Sequence, residues 1–167
     1  PGVRRDYKHR IAAILAREAL VRAPAAIVEL GSGASTLMLG QIIKVRGNGH
    51  LLSIDHDAKW AAETRRNVEF LGLQDVVTIV VAPLKAMQVE GQEALWYDIP
   101  EQALEQLGMI DLLLVDGPPH SGGQNRPARY PAVPLLFEQL SPDALVFVDD
   151  ASRSSETAMV DEWLRRY

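Results

Sequence analysis

The stretch Ala25 to Thr36, AAIVELGSGAST, constrains this chain most strongly: a short apolar run closes on an acid and passes at once into a turn of small residues. Ala26, Ile27, Val28 and Leu30 suit a buried parallel strand, bounded by Pro24 before it and Gly31 after it. Gly31 and Gly33 allow close backbone contacts that a Cβ would block, and Ser35 or Thr36 can cap a helix expected over Leu37 to Val45. Such a turn leaves unpaired N–H groups at a helix start, which attract acceptor groups of a bound ligand. A plain strand-to-helix turn has the same outline. The neighbouring acids decide between the two.

The dinucleotide fingerprint needs three glycines, as G-x-G-x-x-G/A. Here the third position is Thr36, and Glu29 stands two residues before Gly31. A carboxylate there repels a pyrophosphate and attracts a cation. S-adenosylmethionine, with a positive ammonium and sulfonium and no phosphate, therefore fits better than NAD. Asp55 closes the next apolar stretch, His50-Leu51-Leu52-Ser53-Ile54, 22 residues after Gly33. That is near the offset of about 20 at which an acid holds ribose hydroxyls. An NAD-linked oxidoreductase and a noncatalytic cofactor-binding or interaction domain stay as alternatives.

At 167 residues, 47% hydrophobic and 23% charged, the chain suits one domain over residues 1–167 with a sizeable core. Its net charge of -5 argues against a nonspecific nucleic-acid or anionic-membrane surface, since both are bound through clustered cations. The absence of cysteine excludes disulfides, thiolate metal sites and a thiol nucleophile, and is compatible with a cytoplasmic location. No apolar run reaches the roughly 18 residues of a membrane span, and no signal peptide is visible. The start at Pro1 reads as a trimmed chain or part of a longer one.

Along the chain, Ile11, Ile14, Leu15, Ala19 and Leu20 recur at helical spacing within Val3 to Arg22. The basic residues Arg4-Arg5 and Lys8-His9-Arg10 read as a solvated face. Asp57 to Leu71 reads as a helix capped by Asp57, with Trp60, Ala61, Val68 and Leu71 on its buried stripe. Val76 to Val81 is a third strand, followed by Ala82-Pro83-Leu84, and Trp96-Tyr97-Asp98 reads as the anchor of a loop within Glu90 to Pro100. Ile110 to Val115 is an unbroken apolar strand ended by Asp116. A helix is expected from about Tyr130 to Leu140, a strand over Ala144 to Val148 ending in Asp149-Asp150, and a last helix from about Ser155 to Arg166 with Met159, Trp163 and Leu164 inward. Five strands alternating with helices predict an α/β fold, a doubly wound parallel sheet of order 3-2-1-4-5 with helices on both faces.

Glu29-Leu30-Gly31-Ser32-Gly33, Asp55 in SIDHD, Asp116 in LLLVDGPP and Asp149-Asp150 in VFVDDA together resemble the class I S-adenosylmethionine-dependent methyltransferases. The sequence is most similar to small bacterial O-methyltransferase-like domains of the "methyltransferase 24" group, through APL at Ala82 to Leu84, WYD at Trp96 to Asp98, DGPP at Asp116 to Pro119 and RYPAVPLL at Arg129 to Leu136. The resemblance implies a three-layer Rossmann-like fold and S-adenosylmethionine as cofactor, leaving as S-adenosylhomocysteine. It implies a cofactor site of Glu29, Gly31, Ser32, Gly33, Ser35, Asp55, His56 and Asp116, with Ala82, Pro83 and Leu84 facing the adenine. Class I members usually add a C-terminal antiparallel hairpin, whereas this sequence ends at Tyr167, so a free edge on the fifth strand is expected, open to a partner such as a second copy.

All these acids should fall at the carboxyl ends of the strands, where such sheets bind ligands. Crowded carboxylates repel one another and call for a cation. Asp116, Asp149 and Asp150 offer three hard oxygen donors, suited to Mg²⁺, and they match the acids that hold such an ion in metal-dependent O-methyltransferases. The plainer reading is that Asp116 starts a turn with Gly117-Pro118 while Asp149 or Asp150 caps the last helix. The expected reaction is methyl transfer to a hydroxyl of a small molecule, with Asp116 in the catalytic centre and His120 as the candidate base in a flexible Pro118 to Arg129 loop. Arg126 and Arg129 are candidates for holding an anionic substrate group.

Overall fold

Runs such as Ile27-Val28 and Leu112-Leu113-Leu114 are apolar on both faces, so they can settle only between two covering layers. The computed structural model of the chain describes residues 2–119 and 127–167, with side chains from Ile11 onward. His120 and Arg126, and the side chains of Arg4, Arg5, Lys8, His9 and Arg10, lie outside what is described. The strands are β1 (Ala26–Leu30), β2 (His50–Asp55), β3 (Val77–Val81), β4 (Leu84–Val89), β5 (Gln92–Tyr97), β6 (Ile110–Val115) and β7 (Leu140–Val148). Five of them form a parallel sheet of order β3-β2-β1-β6-β7, which is the predicted topology.

The helices are α1 (Gly2–Arg22), α2 (Ala34–Arg46), α3 (Ala58–Phe70), the short α4 (Glu101–Glu105) and α5 (Ala132–Leu136), and α6 (Ser154–Arg166). Alternation along the strands sends side chains into two cores. Ile27, Leu51, Leu112 and Leu114 pack beneath Leu15, Leu39 and Val68 on one face. Val28, Leu52, Leu113 and Val115 pack against Trp96, Leu136, Met159 and Trp163 on the other. Each such fully buried aliphatic side chain contributes roughly 1.5–3 kcal/mol relative to exposure.

Several sequence expectations need correction. Trp96-Tyr97-Asp98 does not anchor a loop: β4 and β5 pair antiparallel as a separate two-stranded sheet between β3 and β6 in the chain, distinct from the C-terminal hairpin considered above. Its two-residue turn is Glu90-Gly91, both at positive φ as a twisted hairpin requires. The helix expected to Leu140 stops at Leu136, passes through a 3₁₀ turn and gives way to a nine-residue β7. Ile14, Leu20, Trp60 and Leu164 are half exposed or more, while their neighbours Leu15, Ala19, Ala61 and Trp163 carry the buried faces. Strand β7 ends the sheet, and a groove of about 710 Å³ runs between this edge and α6, lined by apolar residues such as Val146, Val160 and Leu164.

Candidate active site

That groove lies away from the glycine turn. A smaller cavity, about 410 Å³, sits at the carboxyl ends of β1, β2 and β6 and takes in Gly31, Ser32, Asp55, His56 and the Asp116-Gly117 turn. Gly31 has φ +99, and a Cβ there would meet the backbone nitrogen of Gly117 at 3.3 Å. Glycine is required on both counts: the conformation is left-handed, and two turns touch backbone to backbone.

Asp55 holds the first turn in shape. Its Oδ2 accepts the backbone N–H of Ser32 at 2.8 Å and the Ser32 hydroxyl at 2.6 Å. Its Oδ1 accepts the N–H of Asp57 at 2.9 Å. A carboxylate has about four lone-pair sites, so one direction on Oδ1 stays open for a ligand hydroxyl. His56 lines the same cavity with Nδ1 3.5 Å from that oxygen.

Glu29 was expected to face the cation of a ligand, and instead it lies fully buried under the turn. Its Oε2 accepts the hydroxyls of Thr36 at 2.5 Å and Ser53 at 2.7 Å. Thr36 in turn accepts the N–H of Gly33 at 2.8 Å, so it is Thr36 rather than Ser35 that closes the start of α2. Oε1 has no hydrogen-bond partner among the described residues. Burial pushes the Glu29 carboxyl up to about 7, against the lowering by its hydroxyl partners Thr36 and Ser53.

The cation that the acid rim calls for is Arg129, a residue expected to hold substrate. Its guanidinium donates from Nη1 to the Asp149 carbonyl at 2.6 Å and from Nη2 to the Asp116 carbonyl at 2.7 Å. Nη2 also lies 3.3 Å from Asp116 Oδ1 and 3.9 Å from Asp150 Oδ2. Arg153 pairs with Asp150 at 2.7 Å, so Asp150 does not cap α6. A divalent ion between Asp116 and Asp150 would meet this fixed positive charge, and among the described residues no three His, Cys, Asp or Glu side chains gather as a metal site. The expected Mg²⁺ ligand set of Asp116, Asp149 and Asp150 is therefore not what the structure forms. Asp116 stays above the ordinary carboxylate range, through partial burial first and then the adjacent Asp149 charge.

Gly31, Ser32, Asp55, His56 and Asp116 come together in the cavity, with Gly33 beside them. Ala82, Pro83 and Leu84 do not line it: Ala82 is buried with its N–H on the Asp55 carbonyl, and Leu84 opens the hairpin. Ser35 faces an adjoining cavity. Sequence reasoning missed Trp60, Tyr97 and Glu156. Trp60 Nε1 donates to the Ser32 carbonyl at 2.6 Å, which lays the indole over the glycine turn. Tyr97 is buried, its ring edge-on to Trp96 and His56.

The Tyr97 hydroxyl would lie only 2.2 Å from a Cβ on Gly117, closer than real contacts allow. Gly117→Ala is therefore expected to lower stability by about 1–3 kcal/mol, the range for overpacking a filled core. Urea unfolding of Gly117→Ala and of Gly117→Ala with Tyr97→Phe checks this: the second change removes the clashing oxygen and should restore part of the loss.

Comparison with known proteins fits these elements. The sequence model of a family described as a methyltransferase domain matches residues 28–151. Compared with the curated proteins, the chain has no significant match. Among solved structures, the S-adenosylhomocysteine-bound methyltransferase PaMTH1 of Podospora anserina is 20% identical, with a TM-score of 0.59, over 83% of this chain and 51% of that one. The O-methyltransferase TomG of Streptomyces achromogenes, in complex with S-adenosylmethionine, is 18% identical with a TM-score of 0.60, over 92% and 66%. A precorrin-6Y C5,15-methyltransferase of Geobacter metallireducens is 15% identical with a TM-score of 0.61, over 93% and 69%. The chain thus spans about half to two thirds of the length of these structural neighbours.

Proposed function

The chain belongs to the methyltransferase-domain family, and from that premise we propose that its glycine-turn cavity binds S-adenosylmethionine and directs methyl transfer to a hydroxyl oxygen of a small molecule. One observation carries the reading. The cavity is lined by the carboxylates of Asp55, Asp116, Asp150 and Glu156 against the guanidiniums of Arg129 and Arg153, both already engaged with those acids. Among the described residues this wall is net negative, which suits a sulfonium and ammonium and opposes the pyrophosphate of NAD.

When bound, S-adenosylmethionine supplies a methyl on a positive sulfur: a substrate oxygen bonds to the methyl carbon as the carbon–sulfur bond breaks, its electron pair staying on sulfur. The chain contributes alignment and charge. Asp55 offers its open lone pair to a ribose hydroxyl, and the Gly31 turn lets the ligand approach the backbone. Asp116, at the junction of the β6 end and the cavity, is placed to accept the proton of the attacking hydroxyl. Its raised affinity for protons favours that role near neutral pH. Arg129 keeps the acids Asp116 and Asp150 together at the rim. No step is assigned to a metal.

Calorimetric titration with S-adenosylhomocysteine tests the reading, in Mg²⁺ and again in EDTA, with NAD as the competing ligand. Binding to the unaltered protein without Mg²⁺ dependence is expected. Asp55→Ala should weaken it about 100-fold, since a hydrogen bond to a charged group contributes about 1.5–3 kcal/mol and the Ser32 turn is released as well. Absence of binding, or preference for NAD, would overturn it.

A further inference from the structure

Tyr97, at the end of β5, is 1% exposed and yet lines the cavity at the glycine turn. Its hydroxyl has no hydrogen-bond partner among the described residues, which is rare for a buried hydroxyl and calls for an explanation. The ring is held in place, edge-on to Trp96 and His56 with ring centroids 5.1 Å and 6.2 Å away. The hydroxyl lies where the two glycine turns meet: a Cβ on Gly117 would collide with it, and would meet the Leu30 carbonyl oxygen at 3.3 Å and the Gly31 Cα at 3.5 Å. Burial first, and then the Asp55 carboxylate, hold this hydroxyl above the ordinary phenol range. It therefore keeps its proton and acts as a donor.

We infer that the Tyr97 hydroxyl donates to a ribose hydroxyl of the bound nucleoside, the same hydroxyl whose proton goes to Asp55. The inference rests on the proposed S-adenosylmethionine site and deepens it. A hydroxyl carries one proton and two lone pairs, so a site that holds it fully needs an acceptor and a donor. Asp55 supplies the acceptor, through the direction on Oδ1 that the Asp57 N–H leaves open. An ionised carboxylate has no proton to give, and the donor must come from elsewhere. Ser32 spends its N–H and its hydroxyl on Asp55 Oδ2, and Trp60 donates to the Ser32 carbonyl. Tyr97 stands on the same side of the cavity as Asp55, since the His56 ring that it meets edge-on has Nδ1 3.5 Å from Asp55 Oδ1. The two turns close over the Tyr97 hydroxyl, and both residues at the seam are glycines, so a sugar parts them without displacing a side chain. The donor gains its partner only when the nucleoside is seated, and so favours the bound form over the free one.

Tyr97→Phe, which keeps the ring and removes only the oxygen, tests this through thermal melts and through titrations with S-adenosylhomocysteine, adenosine and 2′,3′-dideoxyadenosine followed by NMR. The variant should melt no lower than the parent, because the oxygen it loses has no partner in the chain. It should bind S-adenosylhomocysteine and adenosine more weakly by one common factor of about five to ten, the size of one neutral hydrogen bond. Dideoxyadenosine, which lacks the hydroxyl that Tyr97 is assigned to, should bind both proteins alike. If S-adenosylhomocysteine binds the two proteins equally, the assignment of Tyr97 fails alone. It also fails if adenosine is unaffected while S-adenosylhomocysteine weakens, since the donor then serves the amino-acid end of the ligand. Equal weakening of dideoxyadenosine would show that the change acts through the shape of the cavity, and a lower Tm would show that the hydroxyl has a partner within the chain; either overturns the inference. If S-adenosylhomocysteine does not bind the unaltered protein, the methyl-transfer reading fails and takes this one with it.

Discussion

Arg129→Met should lower the stability of the folded chain by about 3 kcal/mol, which for a chain of this size is a fall in Tm of about 6–12 °C. The side chain is 9% exposed and ties the carboxyl ends of β6 and β7 through two backbone carbonyls, while also facing Asp116 and Asp150. Methionine fills similar volume but leaves those carbonyls without their donor and the carboxylates without their charge partner. Breaking a fully buried pair costs about 3–5 kcal/mol, and the low end applies because Asp116 is 44% exposed and water screens it. Arg129→Lys should recover less than half, because an ammonium cannot reach both carbonyls in one plane as a guanidinium does. The loss should shrink at pH 5 relative to pH 8, since Asp116 already sits above the usual carboxylate range and takes up a proton more readily once the cation is gone. Thermal melts of the three proteins at both pH values read this out. A Tm for Arg129→Met within about 2 °C of the parent, well under the fall expected from the size scaling, or a larger loss at pH 5, would show that Arg129 does not hold the rim together.

The order of the main sheet was legible because each of its strands is a short apolar run closed by a turn or an acid, and alternation with helices leaves few topologies. The hairpin was not. Its exposed residues Lys85, Gln88 and Glu93 break up the pattern, and its turn carries Glu90 where Asn, Asp or Gly would have signalled positive φ. The acids of the site were legible by spacing, since each ends a strand and the sheet brings strand ends together. Their partners were not. Arg129 lies in a different segment from each acid, and only the fold brings its guanidinium to Asp116 and Asp150. Trp60 follows the spacing of the buried stripe of α3, yet its place at the first turn of the helix sets it over Ser32 instead of over the sheet. Glu29 was placed correctly in the chain and wrongly in space: the strand's alternation turns it toward Ser53 and Thr36.

That placement makes Glu29→Gln a demanding variant, expected to gain stability and lose affinity together. The Glu29 carboxyl titrates at about 7 in the folded chain against an ordinary value of 4.5, burial being the largest cause. A pKa raised by folding stabilises the protonated form, so the contribution is complete below the unfolded pKa and is lost as pH climbs through the folded one. Over the window from about 4.5 to 7 the unfolded chain has already released its proton while the folded chain keeps it. Stability therefore falls across that window by up to about 3 kcal/mol, at about 1.36 kcal/mol for each pH unit the window spans. Glutamine keeps the oxygen that accepts from Thr36 and Ser53 and carries no charge to desolvate. At pH 8 the variant should unfold at a Tm about 6–12 °C above the parent, and below about pH 5 the two should coincide. The cofactor proposed for this cavity is cationic, and a buried anion beneath the turn attracts it through a low-dielectric wall. In the parent, affinity for S-adenosylmethionine should rise up to about tenfold from about pH 6 to 7 as Glu29 ionises, then level off, and decline above about pH 8 where an α-amine loses its proton. In Glu29→Gln the rise should vanish and the plateau should sit lower. Melts and calorimetric titrations of both proteins from about pH 5 to about pH 8.5 separate the two effects, since the window brackets both titrations. Equal stability at pH 8 would mean that Glu29 ionises there without strain, and an unchanged pH profile of binding would mean that the ligand does not sense its charge.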